Sequence, residues 1–218
     1  MTPTSAERGH ETRQRLLDAA AELIVEDGWG AVTTRRVADR AGLRPGLVHY
    51  HFSSVTDLLI EAALSAAQRE MARATEAMSQ ADDPGRGMEQ VLGMVAEYTA
   101  SDPTTVLFSE MLLASTRLER LRVRLAEMLG EWRAGVAEWL RAANAVDIAG
   151  SSAVAEGREE ARDDAEATAL LLGAAIDGLV LHRLIDPSVA QVSVAGALSR
   201  LAGVAPAAAE EAPDGTEP

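Results

Sequence analysis

The chain of 218 residues contains no cysteine, so it makes no disulfide and offers no thiolate ligand to a metal. It also contains no lysine; every one of its 20 basic residues is arginine. Aromatic residues are only 3% of the chain, while the 47% of apolar residues are mostly alanine, leucine and valine, a mixture that favours helices over sheets. No serine sits in a nucleophile elbow, no glycine loop is built to cradle phosphate, and no His/acid pair has catalytic spacing. The one faint constellation is His182 and Arg183 with Asp186, which interface packing explains better than chemistry. An enzyme is therefore not expected, and neither is a cofactor. No apolar leader opens the sequence, so the cytoplasm is expected.

Positive charge is in deficit as well. The net charge is −14, which argues against indiscriminate attraction to nucleic acid. Its distribution is uneven, however. Residues 1–52 hold seven arginines and seven acidic residues, so the whole deficit lies beyond them. A neutral head can sit on phosphate while an acidic body faces away.

The most informative stretch runs from Thr33 to Phe52. Val37, Ala38 and Ala41 recur at helical spacing as a small apolar face. Gly42 stands where a left-handed C-terminal stop is needed, since glycine carries no Cβ penalty there. Leu43 follows as a plug. Pro45 suits the first turn of a new helix, where its missing N–H costs nothing. That helix carries Leu47, Val48, Tyr50 and Phe52. The small Ala41 and Gly42 let two helices cross closely, as in a DNA-reading helix-turn-helix.

With these residues in view, the chain resembles the TetR family of bacterial transcription regulators. The pattern is a leading amphipathic helix, then Thr33-Thr34, Val37-Ala38, Ala41-Gly42, Pro45-Gly46 and an aromatic-rich run through Tyr50 and His51 to Phe52. Asp57-Leu58-Leu59 follows as the usual opening of the fourth helix. The specific match covers about the first quarter of the chain. Two departures stand out: His49 precedes Tyr50 where two tyrosines are usual, and Val55 stands where a lysine is common.

The resemblance implies an all-α protein of about nine helices. A three-helix helix-turn-helix domain would occupy residues 1–53. A larger helical domain for effector binding and dimerisation would span 54–204, and an acidic tail over 205–218 reads as disordered. Along the chain, residues 1–7 read as a loose arm running into a helix over about Ser5–Asp27, with Leu16, Leu17, Ala20, Leu23 and Ile24 on one face. A helix from Val55 to about Ala77 would join head to body. Breakers fall at 82–85 and 101–103, and helices are expected over about 86–100, 104–115 and 118–143. Residues 144–163 read as a long loop, 164–185 as a strongly apolar helix and 188–201 as a last amphipathic one.

Three sets of candidate residues follow. For DNA these are Thr33, Thr34, Arg35, Arg36, Arg44, Pro45, Gly46, Leu47, His49, Tyr50 and His51. Arg44 either forks onto guanine or clamps a phosphate. Tyr50 fits a phosphate contact or the core, and Arg40 reads as a bystander held near Asp39. His49 and His51 point about 200° apart on a helix, so they cannot share a metal ion, and no metal is expected.

The resemblance places a small-molecule pocket in the methionine-rich centre, with Met94, Tyr98, Phe108, Glu110, Met111, Met128 and Trp132 as candidates. Methionine suits an adaptable cavity but equally fills a core poor in aromatics. Glu110, set among apolar neighbours, needs a partner, which an arginine or a cationic ligand would supply.

Leu170, Gly173, Ala174, Asp177, Leu181, Val194 and Leu198 are candidates for a dimer interface, in which the last two large helices pair with their copies. Asp177, His182 and Arg183 interrupt the apolar run, so no membrane span is expected. The implied partners are double-stranded operator DNA, an unidentified effector and a second copy of the chain. The implied activity is that of a homodimeric repressor released from a palindromic operator. The alternative is a helical small-molecule carrier or adaptor that never touches DNA.

Overall fold

The computed structural model describes residues 4–81, 84–97, 99, 101–148 and 157–202. Among them there are nine α-helices, two short 3-10 turns and no strand, in agreement with the all-α expectation. The helices are α1 (Ser5–Asp27), α2 (Thr34–Ala41), α3 (Pro45–His51), α4 (Val55–Gln80), α5 (Pro84–Glu97), α6 (Pro103–Ser115), α7 (Glu119–Ile148), α8 (Gly157–Ile185) and α9 (Ala195–Leu201).

The chain forms two compact units, each built from two stretches. The first comprises Met1–Arg73 and Tyr98–Glu131, the second Ala74–Glu97 and Trp132–Pro218. This grouping differs from a cut after residue 53. Leu58, Leu59, Ala62 and Ala63 of α4, Leu107 and Met111 of α6, and Leu121 and Leu125 of α7 share one apolar core with α1 to α3. The helix-turn-helix motif therefore buries its inner face with the help of segments distant in sequence.

Local chemistry explains the helix ends. Thr4 and Glu7 form a capping box, each side chain bonded to the other's backbone N–H. The expected loose arm is thus already ordered at Thr4. Asp102 caps α6, accepting from the Thr104 N–H at 2.8 Å, and Pro103 occupies the first helical position.

Three boundaries depart from expectation. Helix α7 continues to Ile148 and α8 begins at Gly157, so the loop expected over 144–163 is much shorter. Ala142, Ala143 and Ala145 at one end, and the Arg-Glu-Glu-Ala run at the other, are good helix formers that outweigh the polar composition. The helix expected over 188–201 is split. A 3-10 turn at Pro187–Gln191, capped by Asp186, precedes α9. Of the breaker expected over 82–85, residues 82–83 lie outside the described residues, as does the tail over 205–218, while Pro84 and Gly85 already open α5.

The second unit has its own core. Met88, Val91 and Leu92 of α5, Val136, Ala137 and Leu140 of α7, Ala165, Ala169 and Leu172 of α8, and Leu198 of α9 are buried together.

Candidate nucleic-acid interface

The turn between α2 and α3 is built as its residue types require. Gly42 adopts φ 64°, ψ 36°, the left-handed region that penalises a Cβ. Its N–H reaches the Asp39 carbonyl at 3.1 Å, and the Leu43 N–H reaches Ala38 at 2.9 Å. This pair of bonds closes the last turn of α2 as a Schellman motif. Thr33 caps the other end of α2, its hydroxyl accepting from the Arg36 N–H. Helix α3 then opens on Pro45. Val48 and Phe52 enter the core, while Arg44, Pro45, Gly46, His49 and Tyr50 stand outward. Leu47 and His51 are half-buried at the edge of that face.

Tyr50 is 81% exposed, which removes the core alternative for it. Its ring meets His51 edge-on at 5.0 Å. A large aromatic side chain left in water on a short helix has no packing role in the folded monomer.

The arginines sort into held and free. Arg13 stacks over the Phe52 ring at 5.0 Å and pairs with Glu61 of α4. Arg15 donates to the Ala41 carbonyl at 2.5 Å, tying α1 to the end of α2. Arg36 pairs with Asp27 at 2.5 Å. Arg40 is indeed a bystander, but its partners are Glu26 at 2.5 Å and Glu22 at 3.1 Å on α1, not Asp39. The Arg40 bond pulls the Glu26 carboxyl below its ordinary range, and the two carboxylates hold the guanidinium charged. Asp39 is left to Arg35, across 3.8 Å in the open. Arg44 makes no ion pair among the described residues. An unpaired cation at the head of an outward helix and a loosely held one on α2 therefore flank exposed Tyr50 and His49. That face can bind phosphate and reach base edges.

A profile of the family described as bacterial regulatory proteins, tetR family, matches residues 16–62, the span from α1 into α4. Over that segment the chain is similar to the TetR family. The chain is a helix-turn-helix transcriptional regulator. It is 25% identical to the HTH-type transcriptional regulator TtgR of Pseudomonas putida over 190 residues, covering 86% of this chain and 87% of that one. It is 26% identical to an uncharacterized HTH-type transcriptional regulator of Mycobacterium tuberculosis over 142 residues, covering 65% and 72%. Its fold is similar to that of the multidrug binding protein EbrR in complex with imidazole. The TM-score is 0.60 at 25% identity, covering 92% of this chain and 97% of that one.

Seven residues were expected around a small-molecule pocket. Phe108, Glu110, Met111 and Met128 belong to the first unit, Met94 and Trp132 to the second, and Tyr98 lies outside the described residues. Met111 and Met128 are buried in the first core, with Phe108 packed against it. Glu110 pairs with no arginine among the described residues. It accepts the Trp29 N–H at 2.8 Å, from α6 to the turn between α1 and α2. Sequence reasoning missed this partner because a backbone N–H leaves no residue-type signal.

The dimer candidates divide too. Leu170, Ala174 and Leu181 face outward on α8, and Asp177 and Val194 are half-buried. Leu198 is turned into the core of the second unit, so it cannot also face a second copy. Gly173 serves its own chain: a Cβ there would lie 3.3 Å from the Trp132 ring. Two outward residues were missed, Leu171 and Ile185, the latter 83% exposed. With 167, 170, 174, 178 and 181 they form a single stripe at helical spacing. Uniform hydrophobicity along the helix hid which side would be left uncovered. Burial raises the Asp177 carboxyl above its ordinary range.

Proposed function

We propose that this regulator is a cytoplasmic homodimeric repressor that acts by binding rather than catalysis and leaves a palindromic operator when a small molecule binds. The observation that carries the reading is the outward face of α3. It combines unpaired Arg44 with exposed His49 and Tyr50, while Arg13, Arg15, Arg36 and Arg40 are engaged by partners within the chain. Thr33, Thr34, Arg35, Pro45, Gly46, Leu47 and His51 complete the surface at the level of phosphate contact and groove fit. The first 53 residues thus read the operator.

The exposed stripe of α8 supports pairing with a second copy. Leu170, Leu171, Leu181 and Ile185 leave a long apolar face in water, of the kind that marks an interface. Asp164–Arg183 is also long and apolar enough for a membrane span. The opposite side of that helix packs into the core of its own unit, which suits a soluble partner helix better than lipid. Two-fold pairing would present two α3 helices to successive major grooves.

Release requires only that the ligand favour a conformation with weaker DNA affinity. A hundredfold loss corresponds to about 2.7 kcal/mol of coupling. The Glu110 bond to Trp29 ties α6 to the turn preceding the DNA-reading helices, and Arg120 of α7 pairs with Asp57 at the start of α4. Both are routes by which a rearranged body would reorient the head. EbrR, crystallised with imidazole, supports a ligand-responsive reading. The test is a mobility shift with the promoter DNA flanking the gene that encodes this chain. Salt-sensitive, sequence-selective binding is expected; binding indifferent to sequence, or none, would favour a ligand carrier instead.

A further inference from the structure

Arg183 stands near the end of α8, on the side opposite the exposed stripe, and is only 6% exposed. A guanidinium is always charged and carries five N–H donors. In this structure one of them is used: Nη1 donates to the Val95 carbonyl at 2.5 Å, near the end of α5. Nε is fully buried and has no acceptor. No carboxylate pairs with Arg183 among the described residues. The nearest acid in sequence, Asp186, is spent elsewhere, accepting from the Ser188 N–H at 2.9 Å and hydroxyl at 2.7 Å. Glu166, at the other end of α8, pairs with Arg141.

Buried charges in folded proteins are paired or hold a ligand, because an uncompensated one is costly. The C-terminal ends of α5 and α8 offer partial negative charge, which offsets part of that cost. They leave Nε unanswered and supply no full counter-charge. An ordinary helix cap needs one or two donors at the surface, and an arginine at the end of a helix usually keeps its head in water. Here the head is inside, with its fork largely unspent.

We propose that Arg183 anchors the oxyanion group, a carboxylate or phosphate, of a small-molecule ligand held within the second unit. This deepens the effector reading above and rests on it for the consequence at the operator. The fork geometry suits a two-oxygen acceptor bound through Nε and one Nη. The ligand is accordingly acidic at one end. His182, Arg183 and Asp186, read from the chain as interface packing, separate into different roles, and only the arginine goes inside.

The experiment is thermal unfolding of the full chain against matched pairs, octanoate with octanamide and benzoate with benzamide, together with inorganic phosphate. It is run on wild type, Arg183→Met and Arg183→Lys. An oxyanion that binds should raise the wild-type Tm by about 5–10 °C at a hundredfold excess over its Kd, with the neutral partner far weaker. Arg183→Met should abolish the shift and, freed of an unpaired charge, melt higher than wild type without ligand. Arg183→Lys keeps a charge but not the fork, and should respond only at concentrations about tenfold higher. A lower Tm for unliganded Arg183→Met, equal shifts in it and wild type, or no oxyanion acting on wild type would each overturn the proposal. A mobility shift with the bound oxyanion separates the two readings. Binding at Arg183 without loss of operator affinity would keep this site and remove ligand-controlled release.

Discussion

The helix-turn-helix segment and the end of α8 are built on opposite plans. Around α3 Val48 and Phe52 are inside, and Tyr50 and a cation without an ion-pair partner are left outside. On α8 the cation is inside and leucines are left outside, with Leu170 and Leu171 each 53% exposed. A folded chain gains by burying apolar surface and solvating charge. The first segment solvates its charge and leaves Arg44 and Tyr50 outward, where a phosphate or the acceptors of a base edge can meet them. The second breaks both rules; on the readings proposed above, a second copy covers its stripe and an acidic ligand answers its arginine. On those readings, each departure from ordinary burial names the chemistry of the partner it would meet.

The largest effect is expected where the stripe is charged. Leu181→Asp places two carboxylates near the two-fold axis of a dimer, and should raise its dissociation constant by at least about a thousandfold, on the order of 4 kcal/mol. Sedimentation velocity reads this directly. A wild-type chain that sediments as a monomer at every concentration would break the comparison at its second half.

Arg44→Ala tests the first half. Operator affinity should fall by about 1–3 kcal/mol if the side chain reads a base, with selectivity lost at one position of each half-site. If it clamps phosphate, affinity should fall evenly over all sequences and the salt slope should flatten by about one. Circular dichroism should show an unchanged fold in both cases.

Glu110→Ala removes the acceptor for the Trp29 N–H. The cost to stability should be about 1–3 kcal/mol, because a part-buried donor is left unmet. An accompanying change in operator affinity without loss of dimer would show that α6 positions the head.

Asp177→Asn gives the smallest expected shift, with a sign fixed by burial. Its carboxyl holds the proton to higher pH in the folded chain than in the unfolded one. The folded state therefore binds more protons in that window, and stability falls as pH rises through it. The asparagine variant escapes this loss, so its Tm should exceed wild type by a few degrees at neutral pH. The advantage should vanish as pH falls below the ordinary carboxylate range. A constant difference at all pH values would point to packing instead.

The legibility of the chain follows the range of its interactions. Thr33, Gly42 and Pro45 act within a few residues of themselves, through a cap, a positive φ and a fixed φ, so their positions alone announced two short helices and the turn joining them. The segments expected over 144–163 and 188–201 were harder, because composition there was weighed against helix propensity and the balance was close.

What the amino-acid order determined by itself was an all-helical regulator with its DNA-reading motif near the amino end. Periodicity and turn chemistry are local, and local physics leaves its trace in neighbouring letters. What only the tertiary structure decided was partnership: Arg40 with Glu22 and Glu26 rather than Asp39, Glu110 with a backbone N–H of Trp29, Gly173 beneath Trp132, and Arg183 with almost nothing. A helix as apolar as α8 carries several faces that could turn inward, and an arginine has the same letter whether paired or alone. Which face is covered and which charge is answered depends on segments far away in the chain, brought near only by folding.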